Sequence, residues 1–215
     1  MMTPRQRMAT ALNLGIPDRV PTFELEFQLA EELMGKPFLT EKDLKGDSPK
    51  EQERKIAENA EYLLQVYGKL EHDAICIQYL NEEHTKETIR RIRALSGDQY
   101  MLLAHGDGTF AIPDGDGIVE FSYRMADEPE LLHEEAEKMC QDAIDYDLRM
   151  LDAGLDGFIL CSDYCFNKGP FLSPAKFAEF IAPYLTRLIE AIRSHGGYAI
   201  KHTDGNIMPI LDQLV

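Results

Sequence analysis

Residues 157–206 read GFILCSDYCFNKGPFLSPAKFAEFIAPYLTRLIEAIRSHGGYAIKHTDGN. Two short apolar runs, Gly157–Cys161 and Tyr198–Lys201, flank a longer segment of helical periodicity. In that segment Phe177, Ile181, Tyr184, Leu188 and Ile192 fall on one stripe. Ser173-Pro174 supplies an N-cap and first-turn proline, and Gly196-Gly197 ends the helix. Pro183 lies inside the pattern and is expected to kink it. The result is a strand–helix–strand unit, and strands this apolar belong to a parallel sheet covered on both faces.

The same alternation extends toward the N-terminus. Pro129 opens a helix with Leu132, Ala136, Met139 and Ala143 on one face, closed by Gly154. Gly106–Tyr123 is rich in Gly and Asp and reads as a long loop or hairpin with a short strand at Ile118–Tyr123. Tyr100–Ala104 and Ala74–Tyr79 are predicted strands, with Glu82–Leu95 and Pro49–Tyr67 as helices. Ile56, Ala60, Leu63, Leu64 and Tyr67 form the apolar stripe of the latter. Val20–Phe27 is predicted as the first strand, with Phe23, Leu25 and Phe27 on one side and Thr22, Glu24 and Glu26 on the other. A helix capped by Thr3-Pro4 and ending near Gly15 precedes it, and a last helix starts at Pro209–Val215. Five β/α units fit an open doubly wound sheet or part of a barrel. No G-x-G-x-x-G follows the first strand, which disfavours a dinucleotide-binding fold.

At 215 residues and 44% hydrophobic content the chain is read as a single domain, 1–215, with a sizeable core. Its 22 basic and 38 acidic side chains leave a formal net charge of -16, which repels phosphate backbones and anionic lipid. Neither nucleic acid nor membrane is therefore an expected partner. Without a signal peptide, a transmembrane-length run or the cysteine density of a disulfide scaffold, a reducing cytoplasm is the expected compartment.

Each predicted strand ends in polar groups: Glu24 and Glu26 at the first, Gln78 and Asn81 after the second, His105 and Asp107 after the third. Asp163 and Tyr164 follow the fourth, and His202, Asp204 and Asn206 the fifth. In a parallel α/β fold the carboxyl ends of the strands share the face where ligands bind. Taken singly, Asp and Asn here are more often turn or cap residues, and a lone His105 can as well satisfy a loop carbonyl. Only the recurrence over five strands carries the argument. Cys161 and Cys165 lie within zinc-site spacing, with His202 on the neighbouring strand end. However, Cys161 is inside its strand and no second cysteine pair exists. Gly106-Asp-Gly108 and Asp114-Gly-Asp-Gly117 lack the downstream Glu of a calcium loop and read as turns.

Three stretches resemble one family. They are Arg5 to Pro21, ending Gly15-Ile-Pro-Asp-Arg-Val-Pro21; Asp163 through Tyr184; and Lys201-His-Thr-Asp-Gly-Asn-Ile207. They resemble, in order, the entry segment, fourth-strand loop and H-x-C-G or H-x-D-G-N strand end of the uroporphyrinogen decarboxylase (URO-D)/methylcobamide:coenzyme M methyltransferase superfamily. The resemblance implies a (β/α)8 TIM barrel of which about five β/α units are present. A barrel of this type needs about 250 residues, so the sequence is expected to be the N-terminal portion of a longer protein.

It further implies an enzyme of one of two chemistries, with His202, Asp204 and Asp163 as catalytic residues. The strand-end residues Glu24, Glu26, Gln78, His105, Asp107, Tyr164 and Asn206 are read as the substrate-binding set. The first chemistry, read as the leading one, is a corrinoid-dependent methyl transfer. It takes methylcobamide as donor, a corrinoid protein as partner and zinc at His202 and Asp204. The second is decarboxylation of uroporphyrinogen or a related polycarboxylate, as in porphyrin biosynthesis. The sequence departs from both: Phe23-Glu-Leu-Glu-Phe27 is acidic where the decarboxylases are basic, and Asp204 stands where the zinc branch has Cys. A non-catalytic member that binds a small molecule is a third reading.

Overall fold

Six strands and eight α-helices make up the computed structural model, which describes residues Met1 to Val215. Of the four longer strands, β1 (Ala74–Ile77) lies beside β2 (Met101–Gly106), and β3 (Gly157–Leu160) beside β6 (Tyr198–Lys201). The chain divides into two compact units, one of residues 1–105 and 150–157, the other of residues 106–149 and 158–215.

In the first unit α1 (Pro4–Leu12) begins as its sequence dictates. The Thr3 hydroxyl accepts from the Gln6 amide while the Gln6 side chain accepts from the Thr3 amide, which satisfies two of the donors a helix start leaves open. A short α2 (Ala30–Met34) precedes α3 (Pro49–Lys69), whose buried face is Ile56, Asn59, Ala60, Tyr62, Leu63, Val66 and Tyr67. β1 (Ala74–Ile77) is wholly buried, α4 (Glu82–Ser96) follows, and β2 (Met101–Gly106) pairs with β1 in parallel, Ala74 opposite Met101.

A buried ion cluster ties this unit's N-terminus to the start of β1. Asp73, fully buried, accepts from Arg7, from both terminal nitrogens of Arg19 at 3.0 Å and from the Thr22 amide at 2.8 Å. Asp18 takes the remaining face of Arg7, and that contact holds the Asp18 carboxyl well below the carboxylate range. Asp156 plays the same part nearby, bridging Arg5, Arg93 and the Leu102 amide.

The predicted first strand at Val20–Phe27 is absent. Val20 is exposed, and the segment's polar backbone is satisfied by other means than a ladder. Thr22 exchanges hydrogen bonds with Asp73, and the Leu25 carbonyl accepts from side chains. Phe27 packs with Phe38 beside the Ala30, Tyr62 and Val66 cluster. Alternating side chains indicated extended chain, but no neighbouring strand offers Val20–Phe27 a register.

In the second unit the Gly/Asp-rich segment is not a hairpin but leads into a helix, α5 (Gly117–Asp127). A strand would place Val119, Phe121 and Tyr123 on one face. Instead Phe121 packs between Phe110 and Phe171 while Val119 and Tyr123 are exposed, the i,i+4 pattern of a helix. In α6 (Pro129–Asp152) the buried stripe runs through Leu132, Ala136, Cys140, Ile144 and Asp147. Met139, predicted inside, is exposed: reading only apolar residues could not find a stripe that includes a carboxylate.

β3 (Gly157–Leu160) is buried throughout, and a hairpin of β4 (Cys165–Phe166) and β5 (Gly169–Pro170) follows, unforeseen in sequence. Pro183 does more than kink the next helix. It divides it at Ile181 into α7 (Pro174–Phe180) and α8 (Ala182–Ser194), where Pro183 sits in the first turn and costs no hydrogen bond. β6 (Tyr198–Lys201) is as predicted, and the last segment is a 3-10 turn, Met208–Gln213, rather than an α-helix.

Candidate active site

Beyond β3 and β6, in the second unit, the two strand ends bring Asp163, His202 and Asp204 together. One ligand atom from each lies within 4.8 Å of the others. The local chain explains this. His202 donates its amide to the Leu160 carbonyl at 2.9 Å, which continues the β3–β6 register by one residue. Asp163 then accepts the Asp204 amide on its Oδ1 at 2.9 Å, while the Asp163 carbonyl takes the Ile112 amide. His202 Nε2 stands 3.7 Å from Asp204 Oδ1, and Asp204 is the most exposed of the three.

Gly205 sets the turn between Asp204 and Asn206. Its φ is +85°, and a Cβ there would lie 2.3 Å from the Cys165 carbonyl oxygen. Only glycine fits, because both the conformation and the space exclude a side chain. Gly205→Ala is expected to cost at least about 2 kcal/mol and to displace Asp204. An unchanged urea midpoint would show that the turn yields at no cost. Asn206 spends its amide on the Phe166 carbonyl and its side-chain oxygen on the Met208 amide, the work of a turn residue.

Beneath this cluster lies an ion pair. Lys201 Nζ contacts Asp107 Oδ2 at 3.3 Å, the Leu160 carbonyl at 3.0 Å and the Ser162 carbonyl at 2.8 Å. It also stands 4.2 Å from the centre of the Tyr164 ring. Burial pushes the Lys201 ammonium below the lysine range, and Asp107 opposes that shift. Tyr164 is fully buried, bonds Thr109 through its hydroxyl at 2.7 Å and packs edge-on against Phe177. Burial raises its phenol above the usual tyrosine range. Tyr164 and Asp107 are thus engaged by the protein rather than presented to solvent.

In the first unit, Gln78 and His105 meet at one carbonyl. The Gln78 amide donates to Leu25 O at 2.5 Å, and His105 Nε2 lies 2.9 Å from the same oxygen and 3.0 Å from the Gln78 nitrogen. The plainer reading of His105, satisfying a loop carbonyl, describes this geometry. Glu24 is exposed and Glu26 half-buried on the coil that replaces the first strand. Asn81 caps α4 through the His84 amide and is held by Glu41.

Two residues escaped the sequence reading. Lys201 left one signal, a cation in the last position of an apolar strand. Asp147 left none, being one of many acids on a helix. It is 1% exposed, and neither carboxylate oxygen has a hydrogen-bond partner. Cys165 is buried, burial and the Asp163 charge push its thiol up, and the converging group is formed by Asp163, His202 and Asp204 without it.

This arrangement of strand ends can be set against known proteins. Residues 109–215 match the family model described as uroporphyrinogen decarboxylase (URO-D). Those residues belong to the URO-D family. The matched residues contain the whole Asp163, His202 and Asp204 cluster. A methyltransferase from Methanosarcina mazei has a similar fold, with a TM-score of 0.73 at 15% identity, covering 100% of this chain and 73% of that one. No curated protein matches in sequence. The likeness in fold extends over the first 108 residues, which the family model does not match, and supports an incomplete barrel of the URO-D type. No helix of the chain is long and apolar enough to cross a membrane.

Proposed function

We propose that the chain serves methyl transfer from a methylated corrinoid to a thiol, with Asp163, His202 and Asp204 holding a zinc ion. The observation that carries this reading is the convergence of one imidazole and two carboxylates within 4.8 Å at the ends of two strands. The donor set fits: three protein ligands with one position open is the usual form of a catalytic zinc site. Two oxygens make it harder than a thiolate site. Asp163 retains its second oxygen for a ligand after accepting the Asp204 amide. Zinc bound there supplies Lewis acidity that favours the thiolate form of a thiol.

The chain's own residues orient and move protons. As the sulfur–methyl bond forms, the cobalt–carbon bond breaks and leaves its electron pair on cobalt. The thiol proton passes by way of the exposed Asp204 carboxylate to solvent. A corrinoid protein is the natural carrier of the donor, and a small thiol the acceptor.

Purified protein is expected to hold about one zinc per chain, lost in His202→Ala, together with a fall of roughly 100-fold or more in methyl transfer from methylcobalamin. Zinc retained at the wild-type level in that variant would remove the metal reading. Uroporphyrinogen decarboxylation has less support. Its substrate carries many carboxylates, while the cation beneath this cluster, Lys201, has its protons directed to Asp107, Leu160 and Ser162.

A further inference from the structure

We propose that Asp107 and Lys201 form a positioning pair that sets Asp163 against His202 and Asp204. The proposal rests on the metal-site reading for its consequence, though not for its geometry. Lys201 and His202 are successive residues at the end of one strand, so their side chains leave on opposite faces. Lys201 runs inward under the Tyr164 ring, with its side chain only 13% exposed, and His202 turns toward the cluster.

The pair grips one residue from both sides. Asp107 Oδ2 accepts the Ser162 amide at 2.8 Å, and Lys201 donates to the Ser162 carbonyl at 2.8 Å. The peptide planes before and after Ser162 are both fixed, and Asp163 is the next residue. The other Asp107 oxygen is held by the Gly108 and Thr109 amides and the Thr109 hydroxyl, so the carboxylate cannot swing away. Lys201 also donates to the Leu160 carbonyl, which accepts the His202 amide as well. One ammonium therefore links the backbone before Asp163 to that before His202. Groups that orient metal ligands in this way commonly govern affinity by 10- to 100-fold. Neither member of the pair is a ligand: each spends its polar atoms on the chain.

The test uses the full chain and two readouts. The first is the backbone NMR resonance of the Asp204 amide, which donates to Asp163. Asp163→Ala marks how that resonance moves when the acceptor is gone. Lys201→Met, which keeps length and removes charge, is expected to move it in the same direction. Leu188→Ala, in the fully buried core of the same unit, serves as a destabilised control and should leave it in place. The second readout is zinc titration against a chromophoric chelator. Lys201→Met is expected to weaken binding 10- to 100-fold and Leu188→Ala to leave it within two-fold, at a temperature where both are folded.

An unmoved Asp204 amide in folded Lys201→Met overturns the proposal, whether or not zinc binds. Wild-type zinc affinity in Lys201→Met overturns it too, provided His202→Ala loses the metal. Wild-type protein that binds no zinc defeats the metal reading alone, and the amide readout still decides the positioning pair.

Discussion

Replacing Asp147 by Asn is expected to stabilise the protein at pH 8 by about 3 kcal/mol more than at pH 5. The side chain lies in the buried stripe of α6 with no partner for either oxygen. Burial, and then the charge of Asp107, push its carboxyl up from 3.8 to about 7. The folded state therefore keeps a proton that the unfolded chain gives up near pH 4. Between those two values the folded state binds more protons than the unfolded one, so stability falls as pH rises, and it levels off above about 7. Each pH unit in that window is worth about 1.4 kcal/mol. Asn cannot ionise and escapes the loss, while its own unpartnered amide costs the same at either pH. Urea unfolding of both proteins at pH 5 and pH 8 measures the difference. Equal gains at the two pH values would mean that Asp147 titrates as an ordinary carboxylate.

The opposite sign is expected at Asp73. Asp73→Ala removes the only buried anion between Arg7 and Arg19 and leaves the nearly buried Arg7 with Asp18 and the Met2 carbonyl. Breaking a buried pair from one side costs about 3–5 kcal/mol, because the remaining charge stays desolvated. The Thr22 amide loses its acceptor as well. The loss should appear as a urea midpoint far below wild type, with hydrogen exchange quickened first in α1 and β1. A change under about 1 kcal/mol would mean that water replaces Asp73 in the cluster. Asp147 and Asp73 thus show two outcomes for a buried carboxylate: one stabilises because cations and an amide surround it, and one destabilises because nothing does.

Much of the candidate site was legible because strand ends are legible. His202, Asp204 and Asp163 follow apolar runs read as buried strands, and the structure places all three in one cluster. Asp107 and Tyr164 were singled out by the same rule, yet their side chains face the protein: Asp107 grips Ser162 and Lys201, and Tyr164 packs on Phe177. Position along a chain tells which residue ends a strand. It does not tell which way that side chain turns once the next loop has closed over it.

From sequence alone followed the strands β1, β2, β3 and β6, the capped starts of α1 and α7, the superfamily resemblance and the three residues of the cluster. These are local matters, since periodicity, caps and apolar runs act within a few residues of chain. Tertiary structure alone decided that Val20–Phe27 forms no strand, that Gly117–Asp127 is a helix, that Asp147 is buried without a partner, and that Lys201 faces inward. The physical reason is shared by all four. A ladder, an aromatic cluster, a desolvated carboxylate and an ion pair each need a partner distant in sequence. Thr22 finds Asp73, Phe121 finds Phe171, Asp147 lies near Asp107, and Lys201 finds Asp107 only after the chain has folded.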